Sequence, residues 1–127
     1  MSIAETVETF FSDLLTSGNA EAETVLSETV RLRGTLAGEH HGREGFWDFL
    51  KATRLPFNGF QCELLELVAQ FDSAAVKVRF SGFHRNTVLG IDRTERDVAW
   101  KAAVFFEFDE DDMMIRCEAP DARKDQF

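Results

Sequence analysis

The chain has 127 residues, 44% of them hydrophobic and 29% charged, with a formal net charge of -9 at pH 7. This length suits one domain over residues 1–127 that buries roughly two-thirds of its unfolded surface, and the composition excludes a disordered chain. The negative balance repels phosphate backbones and anionic lipid, so neither nucleic acid nor a membrane is an expected partner.

The N-terminus carries Glu5 and Glu8 where a secretory leader needs basic residues, and no apolar run approaches the roughly eighteen residues of a membrane span. A cytoplasmic location is expected. Ser2 and Glu5 form a capping box, after which Ile3, Val7, Phe10, Phe11, Leu14 and Leu15 recur at helical spacing. The pattern predicts an amphipathic helix of about thirteen residues. Gly18 stops it, and Asn19 can cap a second, shorter helix with Ala22, Val25 and Leu26 on its apolar side. From Thr29 the period changes: Val30, Leu32 and Leu36 alternate with Arg31, Arg33 and Thr35, and Gly34 and Gly38 interrupt them, which predicts a broken strand pair. A third helix follows Gly42, from Arg43 to about Thr53, with Phe46, Phe49 and Leu50 inward and Trp47 beside them. Pro56 closes it, because the residue before a proline resists helical geometry.

After Asn58-Gly59 the chain reads as β structure: Phe60 to Phe71, a turn at Asp72-Ser73, Ala74 to His84, a polar connection, and a long final hairpin. In that hairpin Val98, Trp100, Ala102, Val104, Phe106 and Phe108 share one face, with Asp97, Lys101 and Glu107 on the other. The acidic turn Asp109-Glu110-Asp111-Asp112 leads to Met113 through Cys117. Helices first and strands afterwards indicate an α+β domain: a curved, mostly antiparallel sheet covered on one face by helices. Thirteen phenylalanines against no tyrosine make its aromatic core mostly dry. Cys62 and Cys117 lie far apart in strand-like segments and read as buried thiols. Adjacent His40 and His41 point to opposite faces of an extended segment, so with His84 they do not make a metal site. The acidic turn lacks the glycine and spacing of a calcium loop.

The order of elements is itself informative. A helix, the Ser17-Gly18-Asn19 break, a strand ending near Gly34, then Gly42-Arg43-Glu44-Gly45-Phe46-Trp47, Ser81-Gly82-Phe83-His84-Arg85, Leu89-Gly90-Ile91 and Thr94 resemble the SnoaL-like polyketide cyclases of the nuclear transport factor 2-like superfamily. The resemblance covers residues 3 to 121. It implies a bent sheet wrapped around helices as a cone with a deep apolar pocket, and cofactor-free acid–base closure of a ring by an aspartate and a histidine. Where many members have Gly-Ile-Pro-Pro-Thr-Gly, this chain has Gly90-Ile91-Asp92-Arg93-Thr94-Glu95.

His84 ends the inward row Val76, Val78, Phe80, Gly82, and an imidazole can pass a proton in either direction at a carbonyl. Alternatively it hydrogen-bonds the adjoining loop. Asp121 and Glu118 are the carboxylates nearest the place where the resemblance implies a functional acid; each could equally be a solvated acid of the C-terminal segment. Trp47, Phe80, Trp100 and Phe106 offer flat surfaces to a ring-shaped ligand, or simply pack the core. Ketosteroid isomerase and scytalone dehydratase, fold relatives, depend on tyrosine, which this chain lacks. The sequence therefore points to a small-molecule pocket protein, either a cyclase- or isomerase-type enzyme without cofactor or metal, acting on an apolar or aromatic carbonyl compound, or a binding or dimerisation module that turns nothing over. The outer sheet face mixes Lys77, Arg79, Lys101 and Glu107 with Ala75, Ala99 and Ala103, and a sheet-to-sheet homodimer is expected.

Overall fold

A computed structural model of the chain describes residues 2–15, 24–88 and 90–120. Helix α1 (Ile3–Thr9) begins as its sequence predicts: the Ser2 hydroxyl accepts from the Glu5 N–H at 3.2 Å, and the Glu5 carboxylate accepts from the Ser2 N–H at 3.4 Å. It continues as a π-helical segment, Phe10–Leu15, which buries Phe10, Phe11, Leu14 and Leu15. The wider turn disturbs the regular carbonyl ladder, and the Phe11 carbonyl accepts from the Cys62 thiol at 3.3 Å. The short helix expected after Asn19 falls largely outside the described residues.

The remaining elements are β1 (Leu26–Gly34), β2 (Gly38–His41), α2 (Gly42–Arg54), β3 (Phe57–Gln70), β4 (Ser73–His84), β5 (Asp97–Phe108) and β6 (Met114–Glu118). Strand β1 starts three residues before the expected Thr29, so Leu26 is the first residue of a strand and not part of a helix. Helix α2 and the strands from β3 onward follow the expected order. The sheet runs β2-β1-β6-β5-β4-β3, every pair antiparallel except β1 with β6, which is parallel. The mostly antiparallel sheet of an α+β domain is what the patterning implies.

The alternation of β5 decides which face is covered. Trp100, Val104, Phe106 and Phe108 are buried, while Asp97, Lys101, Phe105 and Glu107 are exposed. The inner face packs against the π-helical segment: Phe106 makes edge contacts with Phe10 and Phe11, both at 5.8 Å between ring centroids. Burying a Phe side chain contributes about 1.5–3 kcal/mol, and an edge-to-face pair adds about 0.5–1.5 kcal/mol. These contacts clamp the first helix to the middle of the sheet. Helix α2 covers the β1 side with Phe46, Phe49 and Leu50. At the β2–α2 junction Gly42 takes φ +74°, a backbone state that disfavours a side chain.

Candidate functional site

Between the helices and the inner sheet face lies a small apolar cavity of about 30 Å³. The π-helical segment supplies Phe10 and Phe11, α2 supplies Phe49 and Thr53, and the strands supply Phe80, Trp100 and Val104. Residues around the β1–β2 turn, Gly34 to Leu36, form another wall, and Cys117 and Ala119 close the side along β6. This space admits a water molecule and not an aromatic ring.

Phe80 and Trp100 therefore stand where the sequence suggests, face inward, and touch each other at 5.4 Å. Phe106 is a core residue wedged between Phe10 and Phe11 and does not line this cavity. Trp47 is 43% exposed and belongs to a groove on the exterior, alongside the second half of α2. The helical stripe that buries Phe46, Phe49 and Leu50 leaves Trp47 at its margin.

His84 is fully buried, yet it does not line the cavity. Its ring lies 6.0 Å from Phe57, which in turn lies 5.3 Å from Trp100, so an aromatic layer stands between the imidazole and the cavity. Nδ1 accepts from the Thr94 N–H at 3.2 Å and lies 3.1 Å from the Thr94 hydroxyl. A nitrogen that accepts from a backbone N–H carries no proton, which places the ring proton of neutral His84 on Nε2. Backbone bonds from His84 N–H to the Arg96 carbonyl and from Glu95 N–H to the His84 carbonyl complete the attachment of this connection to β4.

Glu118 does not converge with His84. It lies on the outer sheet face, ion-paired with Arg116 of its own strand, whereas its neighbours Cys117 and Ala119 face the cavity. Asp121 lies outside the described residues. Among the described residues no group of three or more His, Cys, Asp or Glu side chains could hold a metal ion.

Among the cavity residues not singled out as site candidates by their sequence, Thr53, Thr35 and Cys117 carry polar side-chain groups. Thr53 follows Phe49 by four positions on α2, so the inward stripe could have located it. Its hydroxyl donates to the Phe49 carbonyl at 2.8 Å. The Cys117 thiol is buried, and desolvation, followed by the charge of Glu118, raises its pKa far above the ordinary thiol range. It is held as an inert neutral thiol.

A helix-backed, curved α+β sheet with an apolar space on its inner side is the architecture of a cone-shaped class of α+β proteins. This chain belongs to the SnoaL-like polyketide cyclase family, whose family model matches residues 5–121. Solved structures agree on the fold. A protein of Jannaschia sp. CCS1 described as a SnoaL-like polyketide cyclase superposes with a TM-score of 0.78 at 15% identity, covering 92% of this chain and 83% of its own. TsrD of Streptomyces laurentii gives 0.77 at 18% identity, over 92% of this chain and 85% of its own. IdmH of Streptomyces antibioticus, described as a polyketide cyclase, gives 0.75 at 18%, over 94% and 91%. A search of curated proteins finds no match to this chain. Among the described residues, no helix is long and apolar enough to cross a membrane.

Proposed function

We propose that this chain holds a small apolar or aromatic carbonyl molecule inside the cone, against Phe49, Phe80 and Trp100. The observation that supports this is the chemistry of the inner cavity: aromatic and aliphatic walls interrupted by the hydroxyls of Thr35 and Thr53. The Thr53 hydroxyl proton is committed to the Phe49 carbonyl, so Thr35 is the hydroxyl able to donate to a ligand carbonyl oxygen. The cavity of about 30 Å³ is too small for such a ligand as it stands, so entry requires the walls to move apart. Titration with a neutral aromatic ketone, acetonaphthone, tests this. The Trp100 indole N–H resonance shifts saturably, and Phe80→Ala changes the affinity; an unmoved Trp100 resonance refutes the reading.

Turnover by acid–base chemistry without a cofactor is a second reading, with His84 and Asp121 as its groups; it requires the Phe57 ring, which separates His84 from the cavity, to move aside. The Glu118 carboxylate faces away from the cavity, which leaves Asp121 as the acid of this reading. The discriminating measurement is hydrogen–deuterium exchange at the carbon next to the ketone carbonyl. Exchange that is accelerated by the protein, and abolished by His84→Gln and Asp121→Asn without unfolding, supports catalysis; its absence leaves a binding protein.

The outer sheet face supports a homodimer. Val68, Ala75 and Phe105 stand side by side across β3, β4 and β5, with Val68 66% and Phe105 55% exposed. Phe105→Glu then yields a folded monomer in sedimentation, and a wild-type monomer at micromolar concentration contradicts the interface. The buried thiol of Cys117 accords with a cytoplasmic setting.

A further inference from the structure

The concave space bordered by Trp47 is outside the cone. Trp47, Lys51 and Arg54 recur along α2 at spacings that place them on one helix face. Opposite them runs the chain that leaves β4, with Arg85 and Asn86. The groove between has a volume of about 610 Å³, within the range of about 300–1,000 Å³ typical of small-molecule sites.

Its electrostatics run against those of the whole molecule. The chain carries a net charge of -9, yet the groove is lined by Lys51, Arg54 and Arg85 and by no carboxylate. Arg33, Arg43, Lys77, Arg93 and Arg116 each have an acidic partner. Among the described residues Lys51, Arg54 and Arg85 have none, as is also true of Arg31, Arg79, Arg96 and Lys101, but only these three line one groove. Lys51 and Arg54 sit in the last turn of α2, where cations offset the helix dipole. That role does not account for Arg85, which comes from another element.

Arg85 is also held in place. Its Nη1 donates to the Asn58 side-chain oxygen at 2.7 Å and its backbone N–H to the Pro56 carbonyl at 3.0 Å. The Asn86 amide donates to the Leu55 carbonyl at 2.7 Å, fixing the same rim. Between these cations the groove exposes apolar surface: Trp47 is 43% and Leu55 59% exposed, over the buried ring of Phe57. Trp47 itself rests edge-on against Phe46 at 5.4 Å. A flat apolar platform ringed by guanidinium and ammonium groups without acidic partners is complementary to a ring that carries a carboxylate.

We infer that this exterior groove is a binding site for a small aromatic carboxylate, its ring on Trp47 and its charge among Lys51, Arg54 and Arg85. The site is separate from the inner cavity, since the Phe57 ring forms its floor and faces Trp100 on the other side at 5.3 Å.

The two tryptophans make the test specific. Full-length protein is titrated with naphthoate while both indole N–H resonances are followed, Trp47→Phe providing the assignment. Saturable movement of the Trp47 resonance is expected. Naphthylmethanol, which keeps the ring and lacks the charge, binds about tenfold or more weaker, as does naphthoate to the Arg54→Gln, Arg85→Gln double variant. Both arginines are outside the core, and dispersed amide spectra confirm that the variant is folded. No saturable shift of Trp47, equal binding of the alcohol, equal binding by the double variant, or movement of Trp100 alone would each overturn the assignment. Movement of Trp100 alone would instead place the ligand inside the cone.

Discussion

Gly34 is where a single methyl group tests how the inner cavity is built. A Cβ added to Gly34 would meet Phe49 Cε2 at 2.7 Å and Cζ at 3.1 Å, with Ala37 Cβ at 3.4 Å. Carbon atoms prefer about 3.5–4.0 Å, so the Phe49 ring must move by roughly 1 Å. It is not free to do so: Phe46 stacks on it at 6.3 Å and His40 meets its edge at 6.1 Å. The open direction is the cavity of about 30 Å³, which the displaced ring then fills. Gly34→Ala is expected to cost about 1–3 kcal/mol, the usual range for overpacking, and to weaken any ligand that enters beside Phe49. Urea denaturation measures the first effect and the Trp100 resonance the second. Phe49→Leu alone also destabilises, by about 1–2 kcal/mol, through lost packing. In the double variant the smaller side chain removes the clash, so the costs fall short of additivity by about 1 kcal/mol or more. Additivity within about 0.5 kcal/mol would refute the proposed contact, because independent sites combine that closely.

Cys117 predicts a pH dependence. Its folded pKa is raised above the ordinary value of 9.0 by burial and then by Glu118, so above that pH the unfolded chain loses a proton that the native state keeps. Stability from this group is complete below the unfolded pKa and falls by about 1.4 kcal/mol per pH unit above it. Urea midpoints across that range should decline less steeply in Cys117→Ala, and parallel declines would exclude the thiol as the cause. At His84, replacement by leucine keeps the bulk and leaves the half-buried Thr94 N–H without its acceptor, at an expected cost of about 1 kcal/mol. Amide exchange at Thr94 should accelerate, whereas an unchanged urea midpoint would show that this bond contributes nothing to stability.

The architecture was legible wherever local period and burial coincide. Strand β5 alternates cleanly, α2 carries its own apolar stripe, and the Ser2–Glu5 box marks the first helix start. Legibility failed where a distant partner decides. Val25 and Leu26 form an apolar pair that suits a short helix, but Leu26 is drawn into a strand by pairing with Met114, far along the chain. The orientation of Glu118 is the same kind of problem. Met114 and Cys117 both face inward although they are an odd number of residues apart, because the pairing with β5 slips between Glu107 and Phe108. Strict alternation from Met114 would put Glu118 inside; the bulge turns it outward. His84 occupies the inward row its sequence suggests, but the Phe57 ring, from another strand, separates it from the cavity. Trp47 was readable as an aromatic beside a helical stripe, and only the relative placement of α2 and the chain after β4 assigns it to the exterior groove.

The parallel pairing of β1 with β6 has a consequence for how the protein is made. Strand β6 is the five-residue strip that joins β1 and β2 to the meander of β3, β4 and β5. Before Met114 to Glu118 have left the ribosome, the first strands and the later ones are two pieces without a common sheet. The amphipathic first helix then has only part of its cover, and no cone can close around it. Native structure in this domain should therefore appear only once β6 has emerged, and in one step, with that strand acting as the stitch.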